Sequence, residues 1–227
     1  RYLERRLGRC LPPPGFDFYP EFSGRTAIFK LARYFLAAGH KPVAILPDYL
    51  CNVVELAVRR AGFDVRYYPT DDLFEPDPDS LRRELETGSA GLLVTSNVFG
   101  SSALLDHLPT DPFRAAVRSG GVAIIVDLCQ DISLIGRLPS GYGDRLAAVV
   151  SFNDKSLPSV MGGGILAPFP VPASSRHLTW PEVLKLYWEL GVKLISGAGL
   201  VSRRPSGAFE YSHCTRFPYT QIGRAHV

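Results

Sequence analysis

The residue types that invite chemistry in this chain collect in four short stretches. Lys155 closes V-V-S-F-N-D-K (Val149–Lys155), just past an apolar run of strand type, and Gly162, Gly163 and Gly164 follow it. Of the 25 lysines and arginines only five are lysine, so arginine is the default cation here. A lysine amine differs from a guanidinium in that desolvation can remove its proton and leave a nucleophile. The glycines let backbone approach whatever the amine holds. Ser151 offers a hydroxyl on the same rim. Asp127 ends a second apolar run, V-A-I-I-V (Val122–Val126), where a carboxylate is costly unless a cation or donor partners it. S-G-R-T-A (Ser23–Ala27) opens a helical pattern, and the amides of a helix start, with the helix dipole, attract anions. P-D-Y-L-C-N (Pro47–Asn52) brings Tyr49 and Cys51 to a strand-to-helix turn, where one of them covers a flat ring or packs into the core.

Each stretch also has a plainer use. Lys155 can be a solvated loop residue, Ser23 a helix cap, and Asp127 a cap, a structural ion-pair partner or a magnesium ligand. The G-x-x-x-x-G-K-[ST] pattern of a nucleotide loop is absent from the Ser23 turn, so a phosphate–metal site is not expected.

The elements that must position these residues alternate. Helical stripes are expected over Gly24–Ala38, with Ser23 as cap and Gly39 as stop, and over Tyr49–Ala61, Asp77–Gly88 and Asp111–Gly121. Strands are expected at Pro42–Pro47, Phe63–Pro69, Ala90–Ser96, Val122–Asp127, Leu146–Phe152 and Gly163–Pro168. Strand–helix–strand units at this spacing predict an α/β fold with a mostly parallel central sheet covered by helices on both faces. In such sheets ligands sit outside the carboxyl ends of the strands. That rule places Asn97, Asp127, Gln130 and Ser151–Lys155 on one rim.

Taken together, the four stretches ask for a ligand with a phosphate, a cationic ring nitrogen and an aldehyde. Pyridoxal 5'-phosphate has all three. The order S-G-x-T-A, P-x-Y-x-C, D-x-x-Q, then S-F-x-x-K with a triple glycine resembles the fold-type I pyridoxal-phosphate enzymes. Within them it is similar to the DegT/DnrJ/EryC1/StrS sugar aminotransferases, over about residues 20 to 170. The resemblance implies roles. Lys155 matches the lysine that anchors the cofactor, and Asp127 the acid that pairs with the pyridine nitrogen. Gln130 matches the residue near the 3-hydroxyl, and Ser151 a phosphate ligand. Gly24, Arg25 and Thr26 occupy the phosphate turn, and Tyr49 or Cys51 lies where a ring-covering side chain is expected. The implied activity is transfer of an amino group from an amino acid to a keto-sugar nucleotide by a homodimer. A sugar dehydratase, whose family members replace the lysine by histidine, and a non-catalytic or regulatory homologue are the other readings.

Composition bounds these readings. The 227 residues are 46% hydrophobic and 21% charged, as in soluble globular domains. A net charge of +3 with interleaved signs does not argue for nucleic acid. Cys10, Cys51, Cys129 and Cys214 are widely spaced and form no metal pattern. Free thiols, with no apolar run long enough to span a membrane, place the chain in the cytoplasm by expectation. The expected organisation is an amino-terminal segment (1–19), a cofactor domain (20–170), and a linker and helix (171–220) leading to a truncated small domain. Residues 221–227 read as a sequencing or assembly artefact, so the chain reads as a fragment.

Overall fold

Short apolar runs, bounded by glycine, proline and acidic turns, produce the central strands of the sheet in this computed structural model. It describes residues 12–72, 74–97, 103–151 and 162–172, together with Pro181, Leu184 and Trp188. The expectations placed on Lys155, and on the helix from Trp180 beyond three single positions, lie outside the described residues. The chain divides into two compact units, Arg1–Arg176 and His177–Val227. In the second, Pro181, Leu184 and Trp188 are helical and exposed.

In the first unit the strands are β1 (Asp17–Glu21), β2 (Val43–Pro47), β3 (Asp64–Tyr68), β4 (Leu92–Ser96), β5 (Ala123–Asp127), β6 (Leu146–Ser151) and β7 (Gly163–Ala167). They form one sheet in the order β1-β7-β6-β5-β4-β2-β3. The run from β3 to β6 is parallel, while β7 is antiparallel to both β6 and β1. The fold class is the one read from the sequence, α/β with a mostly parallel sheet.

β1 has no counterpart among the expected strands. Its sequence D-F-Y-P-E carries Pro20, which cannot donate to a ladder, and such strands survive only at an edge. The salt bridge between Lys30 and the buried Glu21 ties this edge strand to the helix beside it.

The helices are α1 (Gly24–Ala37), α2 (Asn52–Arg60), α3 (Pro78–Glu86), α4 (Ala103–His107) and α5 (Asp111–Gly120). Strand residues alternate between two cores, as the pleat requires. Ala123, Ile125, Ala147 and Val149 face α1 and α2 in one core, with Ile28, Leu31, Phe35 and Val58. Ile124, Val126, Ala148 and Val150 face the other, with Leu81, Leu85, Phe113 and Val117 from α3 and α5. Helix α2 begins three residues later than its apolar pattern suggests. Tyr49 and Leu50 stay in the turn, and Cys51 takes the extended backbone of a helix cap (φ −62°, ψ 124°).

Candidate functional site

The alternation that builds the two cores also aims the polar residues at the strand ends. Asp127 continues the Ala123–Ile125 side of β5, and Ser151 continues the Ala147–Val149 side of β6. Both therefore point to the face covered by α1, and both are buried. Asp127 is paired with Val149 in the ladder, so Ser151 stands one pleat further along the same face.

Helix α1 starts directly against them. A Cβ added to Gly24 would lie 2.7 Å from the Cys129 sulfur, 3.1 Å from the Ser151 Cβ and 3.7 Å from its hydroxyl oxygen. A Cβ on Gly163 would lie 2.5 Å from the Val150 carbonyl oxygen and 2.9 Å from the Gly24 nitrogen. Gly162 makes a bridge to Ser23 and has φ +122°, a backbone few other residues adopt. Glycine on both sides thus draws the helix start onto the ends of β5, β6 and β7. This gives the triple glycine a use that sequence reasoning did not supply. Gly162 and Gly163 admit the backbone of α1, and no approach to a lysine-held group is needed to account for them.

The first turn of α1 is capped as its sequence suggests. The Ser23 hydroxyl accepts from the Thr26 amide at 3.2 Å, and the Thr26 hydroxyl accepts from the Ser23 amide at 3.0 Å. Thr26 therefore spends its amide and hydroxyl on the cap. The amides of Gly24 and Arg25 precede it at the positive end of the helix dipole, beside Ser151. The Arg25 side chain is exposed.

Asp127 opens a tight turn, Asp127–Asp131. Its Oδ1 accepts from the Cys129 amide at 2.9 Å, which fixes the carboxylate's orientation. Gln130 lies exposed on the same turn. Asp131 caps the following 3₁₀ helix, Ile132–Arg137, accepting from the Ser133 amide at 2.9 Å.

Asn97 holds this turn from the neighbouring strand. It is 4% exposed at the end of β4, and its amide donates to the Asp127 carbonyl oxygen at 3.3 Å. In the side-chain orientation that satisfies both ends, Nδ2 donates to the Asp127 carbonyl oxygen at 2.7 Å and Oδ1 accepts from the Asp131 amide at 3.1 Å. The strand-end rule placed Asn97 on the rim. Its clamp was invisible in sequence because both partners are backbone atoms, one at the end of β5 and one in the turn after it. Asn97→Ala should loosen the turn that carries Asp127 and Gln130. Breaking two buried hydrogen bonds is expected to cost about 2–3 kcal/mol, and amide exchange at Asp131 and Cys129 should rise. Unchanged exchange at both amides would remove this assignment.

Tyr49 and Cys51 part company. Cys51 is exposed at the start of α2. Tyr49 is half-buried against Phe74, with ring centroids 4.4 Å apart. Both rings line a solvent-open cleft with Tyr68, Glu75, Ser96 and Asn97. Phe74 has φ +62°, a left-handed backbone that costs a bulky residue about 1–3 kcal/mol. Hydrogen bonds across the Asp71–Glu75 turn hold it there. Burial, then the Asp48 and Glu75 carboxylates, push the Tyr68 phenol above its ordinary range. It therefore stays a proton donor. Among the described residues no group of His, Cys, Asp and Glu side chains is arranged to hold a metal ion.

No family model matches the chain, and no curated protein matches its sequence. Solved structures do match it. A putative PLP-dependent aminotransferase from Bacillus cereus superposes with a TM-score of 0.55 at 14% identity, over 91% of this chain and 51% of that one. DesV from S. venezuelae gives 0.53 at 18% identity, over 83% and 55%. A DegT DnrJ EryC1 StrS aminotransferase from Brucella abortus gives 0.53 at 14% identity, over 85% and 58%. This is the fold of the pyridoxal-phosphate aminotransferases. The chain spans about half the length of these structures. The aminotransferase fold accounts for the single parallel sheet, the antiparallel β7 and the rim on which Asp127 and Ser151 lie. No helix of the described residues is long and apolar enough to cross a membrane.

Proposed function

We propose that this chain is the cofactor-binding part of a pyridoxal-phosphate-dependent aminotransferase that takes an amino group from an amino acid and delivers it to a keto-sugar nucleotide. The observation that carries the reading is the convergence at one rim. The start of α1, Ser151 and Cys129 meet at Gly24, with Asp127 buried on the same face of the sheet. Those residues fit the cofactor's chemistry. The helix-start amides and the Ser151 hydroxyl suit a phosphate. A buried carboxylate, oriented by a backbone amide, suits a protonated ring nitrogen.

Bound there, pyridoxal phosphate supplies an aldehyde that carries the amino group and a ring that takes up an electron pair. The chain's own residues do the rest. The Gly24 and Arg25 amides and the Ser151 hydroxyl would hold its phosphate. The Asp127 carboxylate would partner its ring nitrogen and keep a proton there. Asn97 holds the Asp127 turn still while it does so. Lys155 Nζ would take the proton from the donor's amino-bearing carbon in the first half-reaction and return one to the acceptor's former carbonyl carbon in the second, which would require a pKa lowered by desolvation and by the cationic ring. The homodimer and the division into cofactor domain and linker belong to the same proposal.

A lysine at position 155 favours transfer over dehydration, since the dehydratases of the resembled family carry histidine there. The test is a half-reaction. Protein loaded with the cofactor is mixed with a panel of amino acids, and conversion of the bound cofactor to its amine form is followed by absorbance. Conversion by an amino-acid donor supports the aminotransferase. Cofactor bound but inert to every donor supports the non-catalytic homologue.

A further inference from the structure

Among the described residues two carboxylates are buried, Asp127 and Glu21. The proposed function uses the first and leaves the second without a task. Both stand last in their strands, and β1 runs in the same direction as β6 because β7 is antiparallel to each. Glu21 therefore ends on the rim that carries Ser151 and Asp127. The ladder places it further. Gly163 is paired with Glu21 on one side and with Ser151 on the other. Residues paired in this way share a face, so Glu21, Gly163 and Ser151 form one row under α1. Gly163 puts no side chain into the row, and the start of α1 fills its place. Two strand spacings set Glu21 about 10 Å from Ser151.

Lys30, in the second turn of α1, forms the salt bridge to Glu21, whose side chain is 2% exposed while that of the lysine is 20% exposed. Desolvation makes such a pair a poor source of stability, and two apolar side chains would serve the fold as well. Its place in the row gives it another use. A carboxylate left uncompensated there would oppose the anion that the proposed function seats at Ser151 and the amides of Gly24 and Arg25. Two unit charges about 10 Å apart, at an effective dielectric of about 20, change each other's binding by about tenfold.

We infer that Lys30 sets the charge of the proposed phosphate site by cancelling Glu21, and that this pair makes the edge strand β1 part of the site. The inference rests on the pyridoxal-phosphate reading and names two further residues that govern the cofactor's affinity. Lys30 acts through Glu21. Removing one partner therefore has the opposite effect to removing the other. A simple tie between β1 and α1 would instead give losses from both.

The experiment titrates the intact protein with pyridoxal phosphate and, separately, with pyridoxal, which lacks the phosphate. Binding is followed by absorbance at about pH 8, where carboxylates are ionised, and at low salt, where charge effects are least screened. Lys30→Met should weaken pyridoxal phosphate about tenfold and pyridoxal by less than about twofold. Glu21→Gln, whose amide oxygen still accepts from Lys30, should strengthen pyridoxal phosphate about tenfold. The double variant carries neither charge and should return to within about threefold of the parent. If Lys30→Met does not fold, Glu21→Gln and the double variant decide. Unchanged pyridoxal-phosphate binding in Lys30→Met, or unchanged or weaker binding in Glu21→Gln, would overturn the inference and leave the cofactor reading standing. So would equal losses for pyridoxal and pyridoxal phosphate in Lys30→Met. A parent protein that binds neither compound would remove the cofactor reading, and this inference with it.

Discussion

Asp127→Asn is expected to lower the transamination rate by about 10²–10³-fold, the range seen when one preorganised electrostatic partner is taken from a reaction centre. The substitution is nearly isosteric. The amide keeps an oxygen where Asp127 Oδ1 now accepts from the Cys129 amide, so the turn has no reason to open. What goes is the negative charge that the proposed function sets beside the ring nitrogen. Without it the ring is not held protonated and takes up the electron pair poorly. The loss should fall on the rate constant of the donor half-reaction, with the melting temperature moving by less than about 3 °C, the equivalent of roughly 1 kcal/mol at this size. A variant that turns over like the parent would remove Asp127 from the chemistry. A variant that fails to fold would show that the carboxylate is structural.

Gly163→Ala should act in the opposite way, through the fold. The added methyl has backbone on three sides, the Val150 oxygen at 2.5 Å, the Gly24 nitrogen at 2.9 Å and the Ser23 carbonyl carbon at 3.0 Å. None of these is the end of a flexible side chain. Either β7 slides on β6 or the start of α1 backs away from Ser151. Overpacking of this kind costs about 3 kcal/mol, which at this size lowers the melting temperature by about 6–12 °C. If α1 yields, the proposed phosphate site opens with it, and cofactor affinity should fall more than tenfold. Full cofactor affinity with a lowered melting temperature would show that β7 moved and that site did not. An unchanged melting temperature would contradict the packing described here.

Much of this was legible in the sequence because it was periodic. The buried strands declared themselves as short apolar runs between turns, and their spacing with amphipathic helices implied a mostly parallel sheet. Asp127 stood out as a charge at the end of such a run. Ser23 was readable as a cap. What was hidden has physical causes. β1 mixes Pro20 with exposed aromatic and acidic residues, which only an edge position tolerates. The start of α2 was set by the backbone of Cys51 and not by its apolar stripe. The triple glycine looked like room for a ligand, but Gly163 is room for Gly24, distant in sequence by most of the domain. Nothing in D-D-L-F-E-P marks Phe74 as the residue that turns left-handed. The Asn97 clamp needs β4 and β5 side by side before its partners exist.

The central claim is that this rim holds a cofactor through Lys155. The most direct measurement is to purify the protein with pyridoxal phosphate, reduce it with borohydride, digest it and map the modified peptide by mass spectrometry. The account predicts a single cofactor adduct on Lys155, and none in Lys155→Ala. A colourless protein with Lys155 unmodified, or an adduct on Lys30, Lys41, Lys185 or Lys193 instead, would contradict it.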